Sequence, residues 1–542
     1  MVWASVTSGS ALAAEPGAAV AFTADVAIER SSFASATSLS ALHKGVNVNL
    51  LEDSKLRWDA SVAGNSGFAD VAGKKDFRDL FQKLGAGSLR LPGGTASNYY
   101  DFDSNKAWSS WAVQSSSRYN RSAAIDWATF WSFHSATGSL SLMNTANVYK
   151  SGNPSRTDNW ISANVAEHWA SYFKTQKVTR SRWELGNEVY ASNQTPGLEY
   201  PGSKISKGKT YLSRACDTAV AIKKGDSTAK VGLVVYEHES TSGYPVLDQA
   251  ASFCGLETFD FFIVHDYAPL YPRTATAPSF YQKGVEMSLA YQSLVHTVSD
   301  LETYLRKKFP NVAKRPIYVT EYGLLSSGDV NLGQTDWYDK PVALLLLNHY
   351  LNLVAQGASG AWYWEAVHAY FRLIDADHLT ATKLYDLLSH AFAQHGKLKS
   401  IHVSGSQTFD ARGPIGSGCL EGEATSKCWH VALASGKTLS KQPLLKVYAA
   451  LRDQDSKRKL TVTVINFSAS AHALNLKLSG FSGADYKTSF EISQWELSGS
   501  SWDAAMGTPT TTAFAASNVA GSSRLAQQRI PARSVAIFEI AL

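Results

Sequence analysis

The stretch Trp183-Glu184-Leu185-Gly186-Asn187-Glu188 stands where a strand-forming segment gives way to a polar loop. Residues 178–182 before it favour a strand, and residues 191–202 after it are polar and contain proline and glycine. In a (β/α)8 barrel, functional side chains lie at the C-terminal ends of the strands, where the loops begin. Because a lone Asn-Glu pair is common on solvated surfaces, the interpretation depends on a second carboxylate of the same kind.

A second glutamate ends a strand in the same way. The stretch Ile317-Tyr318-Val319-Thr320-Glu321-Tyr322-Gly323 is apolar and β-branched up to the glutamate and then passes into a loop. A retaining glycosidase needs two carboxyl groups about 5–5.5 Å apart, one to protonate the leaving oxygen and one to attack the anomeric carbon. Glu188 and Glu321 therefore predict a glycoside hydrolase.

The strand and helix pattern on either side of these motifs predicts the fold. Between residues 45 and 396, strands alternate with helices, which indicates a parallel sheet with crossover helices. Eight strands are predicted, at residues 46–51, 88–91, 140–148, 178–188, 229–236, 259–267, 317–321 and 360–364. Helices are predicted at residues 75–84, 123–136, 159–176, 210–224, 289–309, 341–356 and 383–395. Both glutamates then lie at C-terminal strand ends of a (β/α)8, or TIM, barrel.

The pattern changes after residue 396. Short alternating strands separated by Gly, Ser and Asp turns predict an antiparallel β-sandwich over residues 397–542. Residues 16–44 hold an early strand, at 18–28, and a Ser/Ala-rich linker. This strand is a candidate for pairing into the sandwich. The fold class is thus α/β, a TIM barrel followed by a β-sandwich domain.

The composition fits a large globular carbohydrate enzyme. A chain of 542 residues is long enough for two domains. Its 15 Trp, 24 Tyr and 23 Phe suit an aromatic-lined cleft that stacks sugar rings, as well as ordinary core packing. The net charge of +5 is small for this length, and basic runs with interleaved aromatics are not found, so no nucleic-acid partner is expected.

The four cysteines lack the spacing of a zinc site, and we expect neither a metal nor a cofactor. Cys419 and Cys428 close a short polar loop that would suit a disulfide. Cys216 and Cys254 could form another or remain buried thiols.

The N-terminal segment suggests export. Residues 1–15 are mildly apolar and end in small residues but lack a basic region, as in a degenerate signal segment. A run of about 20 apolar residues is not found, so no membrane span is expected. We expect a secreted protein, in an extracellular or lysosome-like compartment, whose oligomeric state is left open.

Two motifs end predicted strands: Leu89-Arg90-Leu91-Pro92-Gly93-Gly94-Thr95 and the stretch from Trp183 to Glu188. Both resemble the heparanase/β-glucuronidase family, within the clan of (β/α)8 glycosidases that use an Asn-Glu acid/base. The resemblance in architecture extends over residues 45–542 and includes the trailing sandwich that related arabinofuranosidases and xylosidases carry. It implies that Glu188 is the acid/base and Glu321 the nucleophile of a retaining enzyme.

The resemblance does not identify the sugar of the substrate. Residues 323–329 are not the glycine-rich loop with which family members hold a uronate carboxylate. The segment Val319-Thr320-Glu321-Tyr322-Gly323 is more similar to the xylosidase and arabinofuranosidase branches. A β-glucuronide, a β-xyloside and an arabinofuranoside therefore all stay open as substrates.

Further residues at strand ends are candidates for the site. Glu188 must keep its proton, so an apolar wall and the charge of Glu321 are expected to raise its pKa. Arg90 is the expected donor that keeps Glu321 ionised. Asn187 is either a donor to the sugar 2-OH or a strand-end cap. The other substrate-binding candidates are Gly94, Thr95, His265, Tyr267, Tyr322 and Trp364, with Trp364 as the floor beneath the sugar ring and a core histidine as the alternative for His265.

Two other glutamates compete for these roles. Glu184 shares the strand face of Glu188 but is expected about 13 Å deeper, and Glu365 follows the eighth strand, where it is a candidate substrate contact. Two other functions compete with a retaining glycosidase. One is a non-catalytic carbohydrate-binding protein of the same fold. The other is a metal-dependent barrel hydrolase or lyase, for which no His/Asp cluster of ligand spacing is found.

Overall fold

The structure is a computed structural model. It describes residues 22–51, 67–108, 122–150, 160–178, 181–191, 195, 197–201, 209–236, 243–270, 278–326, 342–367, 372–412, 438–453, 458–481, 489–495, 510–515 and 523–542. Cys419 and Cys428 lie outside these residues.

Eight parallel strands close into a barrel, which confirms the predicted fold class. In chain order they are Gly45–Asn47, Ser88–Leu91, Ser141–Ala146, Arg182–Leu185, Lys230–Val234, Phe261–Leu270, Ile317–Ser326 and Gly360–Tyr363. Each pairs with the next, and the eighth pairs with the first. The sixth and seventh strands extend beyond their predicted ends and remain paired up to Leu270 and Ser326.

Helices surround the barrel. They are Phe68–Val71, Lys75–Leu84, Trp127–Ala136, Ala163–Thr175, Tyr211–Gly225, Pro245–Phe253, Pro278–Leu294, Thr297–Lys308, Val342–Ala355 and Lys383–Phe392. The single helix predicted at 289–309 is wrong, because His296 leaves the helical backbone and separates two helices. A disulfide joins Cys216 to Cys254. Among the described helices, none has the length and apolar character needed to cross a membrane.

Two further sheets form the sandwich. The larger has the order Thr37–Ser38, Lys397–Ile401, Leu445–Arg452, Lys459–Asn466, Ser534–Ala541, Ser489–Trp495 and Thr510–Ala515. The smaller has the order Val403–Ser404, Phe22–Glu29, His472–Ser479 and Ser523–Ile530. Pairing is antiparallel except between Phe22–Glu29 and His472–Ser479, which run parallel.

The larger sheet packs on both of its faces. Alternate residues such as Val447 and Val462 belong to the core between the two sheets. Residues of the opposite parity, such as Tyr448 and Ile465, belong to the core of the barrel. The Tyr448 hydroxyl donates to Asn348 Oδ1 on the helix Val342–Ala355 at 3.0 Å. The sandwich is thereby held against the barrel helices.

Candidate active site

Four barrel strands bring six of the predicted site residues into one cluster at the C-terminal face. Arg90 comes from the second strand, Asn187 and Glu188 from the end of the fourth, His265 and Tyr267 from the sixth, and Glu321 from the seventh. These side chains are joined by direct contacts of 3.6 Å or less. The structure therefore brings these six residues together at the mouth of the barrel.

Glu321 is a buried carboxylate held by two donors. Its side chain is 5% exposed, and Oε1 accepts from Arg90 Nη1 at 2.6 Å. Oε2 accepts from the Tyr267 hydroxyl at 2.5 Å. Burial raises the pKa of Glu321, while the charges of His265 and Arg90 act in the opposite direction. Burial also raises the pKa of Tyr267 well above its ordinary value, so this phenol keeps its proton and donates.

Glu188 lies in a more open position. Its side chain is 22% exposed, and Oε1 lies 3.2 Å from His265 Nδ1. One oxygen of Glu188 and one of Glu321 lie within 4.8 Å of each other. This separation is shorter than the ~6.5–9.5 Å that leaves room for a water between the two carboxyl groups of an inverting glycosidase.

A sharp turn after the fourth strand places Glu188. The strand ends at Leu185, earlier than predicted, because Gly186 and Glu188 have left-handed backbone, with φ of 89° and 40°. A Cβ on Gly186 would lie 2.5 Å from Val189 Cγ1, so the turn needs glycine at this position. Asn98 holds the turn, since its Oδ1 accepts from Asn187 N at 2.9 Å and its Nδ2 donates to Asn187 O at 2.7 Å.

Arg90 connects the carboxylates and amides of the site. It is fully buried, and besides Glu321 it donates to Glu184 Oε2 at 2.6 Å through Nε. Nη2 donates to Asn187 Oδ1 at 2.8 Å, which turns the amide nitrogen of Asn187 away from Arg90. Burial alone would lower the pKa of Arg90, but the charges of Glu184 and Glu321 raise it. Arg90 is therefore a permanent cation beside Glu321, as expected.

His265 lies between three carboxylates. Its Nδ1 faces Glu188 at 3.2 Å and Glu321 at 3.6 Å, and its Nε2 faces Glu184 at 3.4 Å. Burial would lower the pKa of His265, and Arg90 acts in the same direction. The charge of Glu321 and the contacts with Glu184 and Glu188 outweigh both and raise this pKa to about 10. The shift favours the doubly protonated imidazolium, with Nδ1 placed to donate to Glu188 and Nε2 in an ion-pair contact with Glu184.

Trp364 lies at the mouth against a glycine. A Cβ on Gly94 would lie 2.4 Å from Trp364 Cη2, and Gly94 has a left-handed φ of 50°. The indole is partly exposed and directly follows the eighth strand. This placement is compatible with a floor beneath a sugar ring.

The three remaining candidates are Tyr322, Thr95 and Glu365. Tyr322 does not face the site, because it alternates with Glu321 along the strand and packs on the outside of the barrel, where its ring stacks on Tyr350 at 5.7 Å. Its predicted substrate contact is wrong. Thr95 begins a short 3-10 helix, Thr95–Tyr99, behind Gly94. Glu365 is fully buried after the eighth strand.

Sequence reasoning missed residues that support the site from below. Asn47 accepts from Arg90 Nη1 at 2.8 Å and donates to the Thr320 and Tyr363 carbonyls at 2.9 and 3.2 Å. It therefore joins three strands to the guanidinium. Two residues in the sequence could have pointed to this support. Asn47 is a polar residue within the apolar first strand, and Asn98 lies in the short helix that follows the second strand.

A pair of tyrosines also lies beside the turn that carries Glu188. Tyr190 and Tyr236 are partly exposed, and their rings stack at 4.5 Å. The buried Tyr200 supports them, since its hydroxyl accepts from Tyr236 N at 3.1 Å. Stacked aromatic rings near Glu188 are suited to contact a sugar ring.

Glu188, His265 and Glu321 offer three ligand atoms close enough to surround a metal ion. Both oxygens of Glu321 already accept from Arg90 and Tyr267, however, and His265 faces Glu184 and Glu188 as a donor. A cation would have to displace protons and compete with the guanidinium. The donor set therefore suits proton transfer better than metal binding.

The sequence matches no family model and no curated protein. Similar folds are found among solved structures. A family 51 α-L-arabinofuranosidase from Bifidobacterium longum has a TM-score of 0.64 and 15% identity, over 95% of this chain and 99% of that chain. A GH51 arabinofuranosidase from Xanthomonas axonopodis pv. citri has a TM-score of 0.61 and 12% identity, over 96% of this chain and 100% of that chain.

An α-L-arabinofuranosidase from Thermotoga maritima, solved with arabinose, gives a TM-score of 0.60 and 15% identity, over 96% of this chain and 100% of that chain. These likenesses extend over both the barrel and the sandwich. At such identities they show the fold: this chain has the barrel-and-sandwich architecture of those glycosidases.

Proposed function

We propose that this protein is a retaining glycoside hydrolase in which Glu321 is the nucleophile and Glu188 the acid/base. The observation that carries the proposal is the pair of carboxyl groups at the barrel mouth, with one oxygen of each within 4.8 Å. The different surroundings of the two groups support the assignment of roles. Glu321 is buried against Arg90 and accepts two hydrogen bonds, whereas Glu188 is more exposed and lies where a leaving group can be reached.

In the first step, a Glu321 oxygen forms a bond to the anomeric carbon as the bond from that carbon to the leaving oxygen breaks. Glu188 gives its proton to that oxygen and becomes a carboxylate. In the second step, Glu188 takes a proton from water, whose oxygen attacks the anomeric carbon and releases Glu321 as a carboxylate. We expect Asn187, whose Oδ1 accepts from Arg90, to donate to the sugar 2-OH in the transition state.

The substrate we propose is an α-L-arabinofuranoside or a β-xyloside, with a β-glucuronide, as in heparanase-like enzymes, as the alternative. Three arguments support this choice. The sequence around Glu321 is similar to the xylosidase and arabinofuranosidase branches, and several of the similar solved structures are described as arabinofuranosidases, while others are described as a glucanase-xylanase and an endoglucanase. The donors of Arg90 are directed at Glu184, Asn47, Glu321 and Asn187, so this cation is not directed at a uronate.

A panel of 4-nitrophenyl glycosides tests the proposal. We expect release of nitrophenol from the α-L-arabinofuranoside or the β-D-xyloside at a higher kcat/KM than from the β-D-glucuronide. A preference for the glucuronide would overturn the choice of sugar. Binding of these glycosides without turnover would instead favour a non-catalytic carbohydrate-binding protein.

The pH dependence of kcat/KM should report the raised pKa of the proposed nucleophile, Glu321. Glu321 must be ionised to attack, and burial raises its pKa. Activity is therefore expected to fall, as the pH is lowered, at a value above the ordinary glutamate pKa of about 4.3. Glu188→Gln, assayed on a glycoside with an activated leaving group, should keep this acidic limb. A limb at or below the ordinary glutamate value would contradict the assignment.

Export and the domain boundaries at residues 15, 44 and 396 stay predictions from the sequence. With the predicted export, we propose that the enzyme acts outside the cell or in a lysosome-like compartment, on a polysaccharide or proteoglycan chain.

A further inference from the structure

A third carboxylate, Glu184, lies beneath the two proposed catalytic groups. It is fully buried on the fourth strand. Oε2 accepts from Arg90 Nε at 2.6 Å and from Thr145 Oγ1 at 3.4 Å. Oε1 accepts from Thr320 Oγ1 at 3.3 Å and lies 3.4 Å from His265 Nε2. With its oxygens directed at these groups and no exposed surface, Glu184 does not itself meet a sugar.

Glu184 stands behind both cations of the site. Arg90 spans from Glu184 at Nε to Glu321 at Nη1, with 2.6 Å at each end. His265 spans from Glu184 at Nε2 to Glu188 at Nδ1, with 3.4 and 3.2 Å. Each proposed catalytic carboxyl group therefore faces a cation whose opposite side faces Glu184.

We propose that Glu184 is a positioning residue that keeps His265 doubly protonated, so that one imidazolium N–H faces the proposed catalytic carboxyl groups throughout turnover. This inference rests on the proposed function for the roles of Glu188 and Glu321, but the protonation of His265 can be measured without a substrate.

The charges of the cluster balance only when Glu184 is ionised. Before reaction, the cations Arg90 and His265 face the anions Glu184 and Glu321, and Glu188 carries the proton it will donate. After the first step, Glu321 is an uncharged ester and Glu188 is the carboxylate. The sum is zero in both states, so no uncompensated charge is buried as the reaction proceeds.

The position of His265 matches this transfer of charge. Its Nδ1 lies 3.6 Å from Glu321 Oε2 and 3.2 Å from Glu188 Oε1, so one N–H faces the negative charge on either group. Arg90 is the cation that opposes protonation of His265, and the Tyr267 phenol is uncharged. Without the charge of Glu184, the cluster would hold one surplus positive charge. Arginine does not release a proton in proteins, and the Nε2 proton of His265 would lose the anion that faces it at 3.4 Å, so we expect His265 to release that proton.

The test uses NMR of the full-length protein labelled with ¹³C at histidine Cε1. The resonance of His265 is identified as the one missing from a His265→Asn sample. In the wild type we expect His265 to stay doubly protonated from pH about 5 to about 8, where an ordinary histidine titrates. In Glu184→Gln we expect it to titrate within that range.

Two further variants separate charge from packing. Thr320→Val removes a hydroxyl contact with Glu184 but no charge, and Glu184→Asp keeps the charge on a shorter side chain. Both should leave His265 doubly protonated. With the best glycoside, Glu184→Gln should lower kcat/KM on the order of 100-fold and add an ionisation to its pH profile that Thr320→Val does not show.

The inference is overturned if His265 titrates as an ordinary histidine in the wild type, a result that needs no variant to fold. It is also overturned if Glu184→Gln leaves His265 doubly protonated over the whole range. If no glycoside is hydrolysed, the proposed function fails, and the NMR result still decides whether Glu184 controls the protonation of His265.

Discussion

Glu321→Gln is expected to lower kcat on the order of 10⁴-fold or more, because an amide cannot form the glycosyl-enzyme that divides the reaction into two easier steps. The wild-type carboxylate is held by Arg90 at 2.6 Å and by Tyr267 at 2.5 Å. The glutamine oxygen can still accept from Arg90, and so the fold should persist. The measurement is kcat on the best glycoside of the panel, with the thermal midpoint as a check of folding.

Glu321→Ala provides the matched chemical control. The smaller side chain leaves space for azide, which should restore turnover by attacking the anomeric carbon directly and give a glycosyl azide of inverted configuration. Activity of Glu321→Gln within tenfold of the wild type would contradict the nucleophile role.

Glu188→Gln is expected to cause a loss that depends on the leaving group. On a glycoside with a poor, sugar-like leaving group, loss of the general acid should reduce kcat/KM by about 10²–10⁴-fold. On a 2,4-dinitrophenyl glycoside the leaving oxygen needs no proton, so the first step should be much less affected. The measurement is kcat/KM across a series of aryl glycosides of decreasing leaving-group pKa.

Glu321→Gln serves as the control for this series, since loss of the nucleophile should affect every leaving group. An equal loss for Glu188→Gln on all leaving groups would show that Glu188 does not act as the acid. The two variants together therefore separate the roles of the two glutamates.

The barrel could be predicted because each of its strands carries a local signal. Short strand-forming segments such as residues 88–91 are bounded by glycine or proline, and the helix Lys75–Leu84 repeats apolar residues at helical spacing. The two-residue alternation of side chains along a strand places His265 and Tyr267 on one face of the sixth strand, where both contact the site. On the seventh strand the register shifts at Thr320, so that Thr320 and Glu321 both contact groups inside the barrel and Tyr322 lies outside it. Regular alternation does not predict this arrangement.

The end of the fourth strand shows what the sequence pattern could not provide. A regular strand predicts Glu184 about 13 Å below Glu188. Because the chain turns at Gly186, both residues instead contact His265 within 3.4 Å. Asn98 holds this turn from the short helix Thr95–Tyr99, and no periodic pattern in the sequence predicts where that helix lies. Local pattern thus predicted which residues meet, and long-range packing decided how Glu184 and Asn98 support them.

The stereochemistry of the reaction tests the central claim most directly, because it depends on the distance between the two carboxyl groups. Oxygens of Glu188 and Glu321 lie within 4.8 Å, which favours attack by Glu321 itself over attack by an intervening water. The measurement is ¹H NMR of the first-formed sugar, recorded before its anomers interconvert. The account predicts a first product with the same anomeric configuration as the substrate. A first product of inverted configuration would contradict the nucleophile role of Glu321, even if both glutamates proved essential.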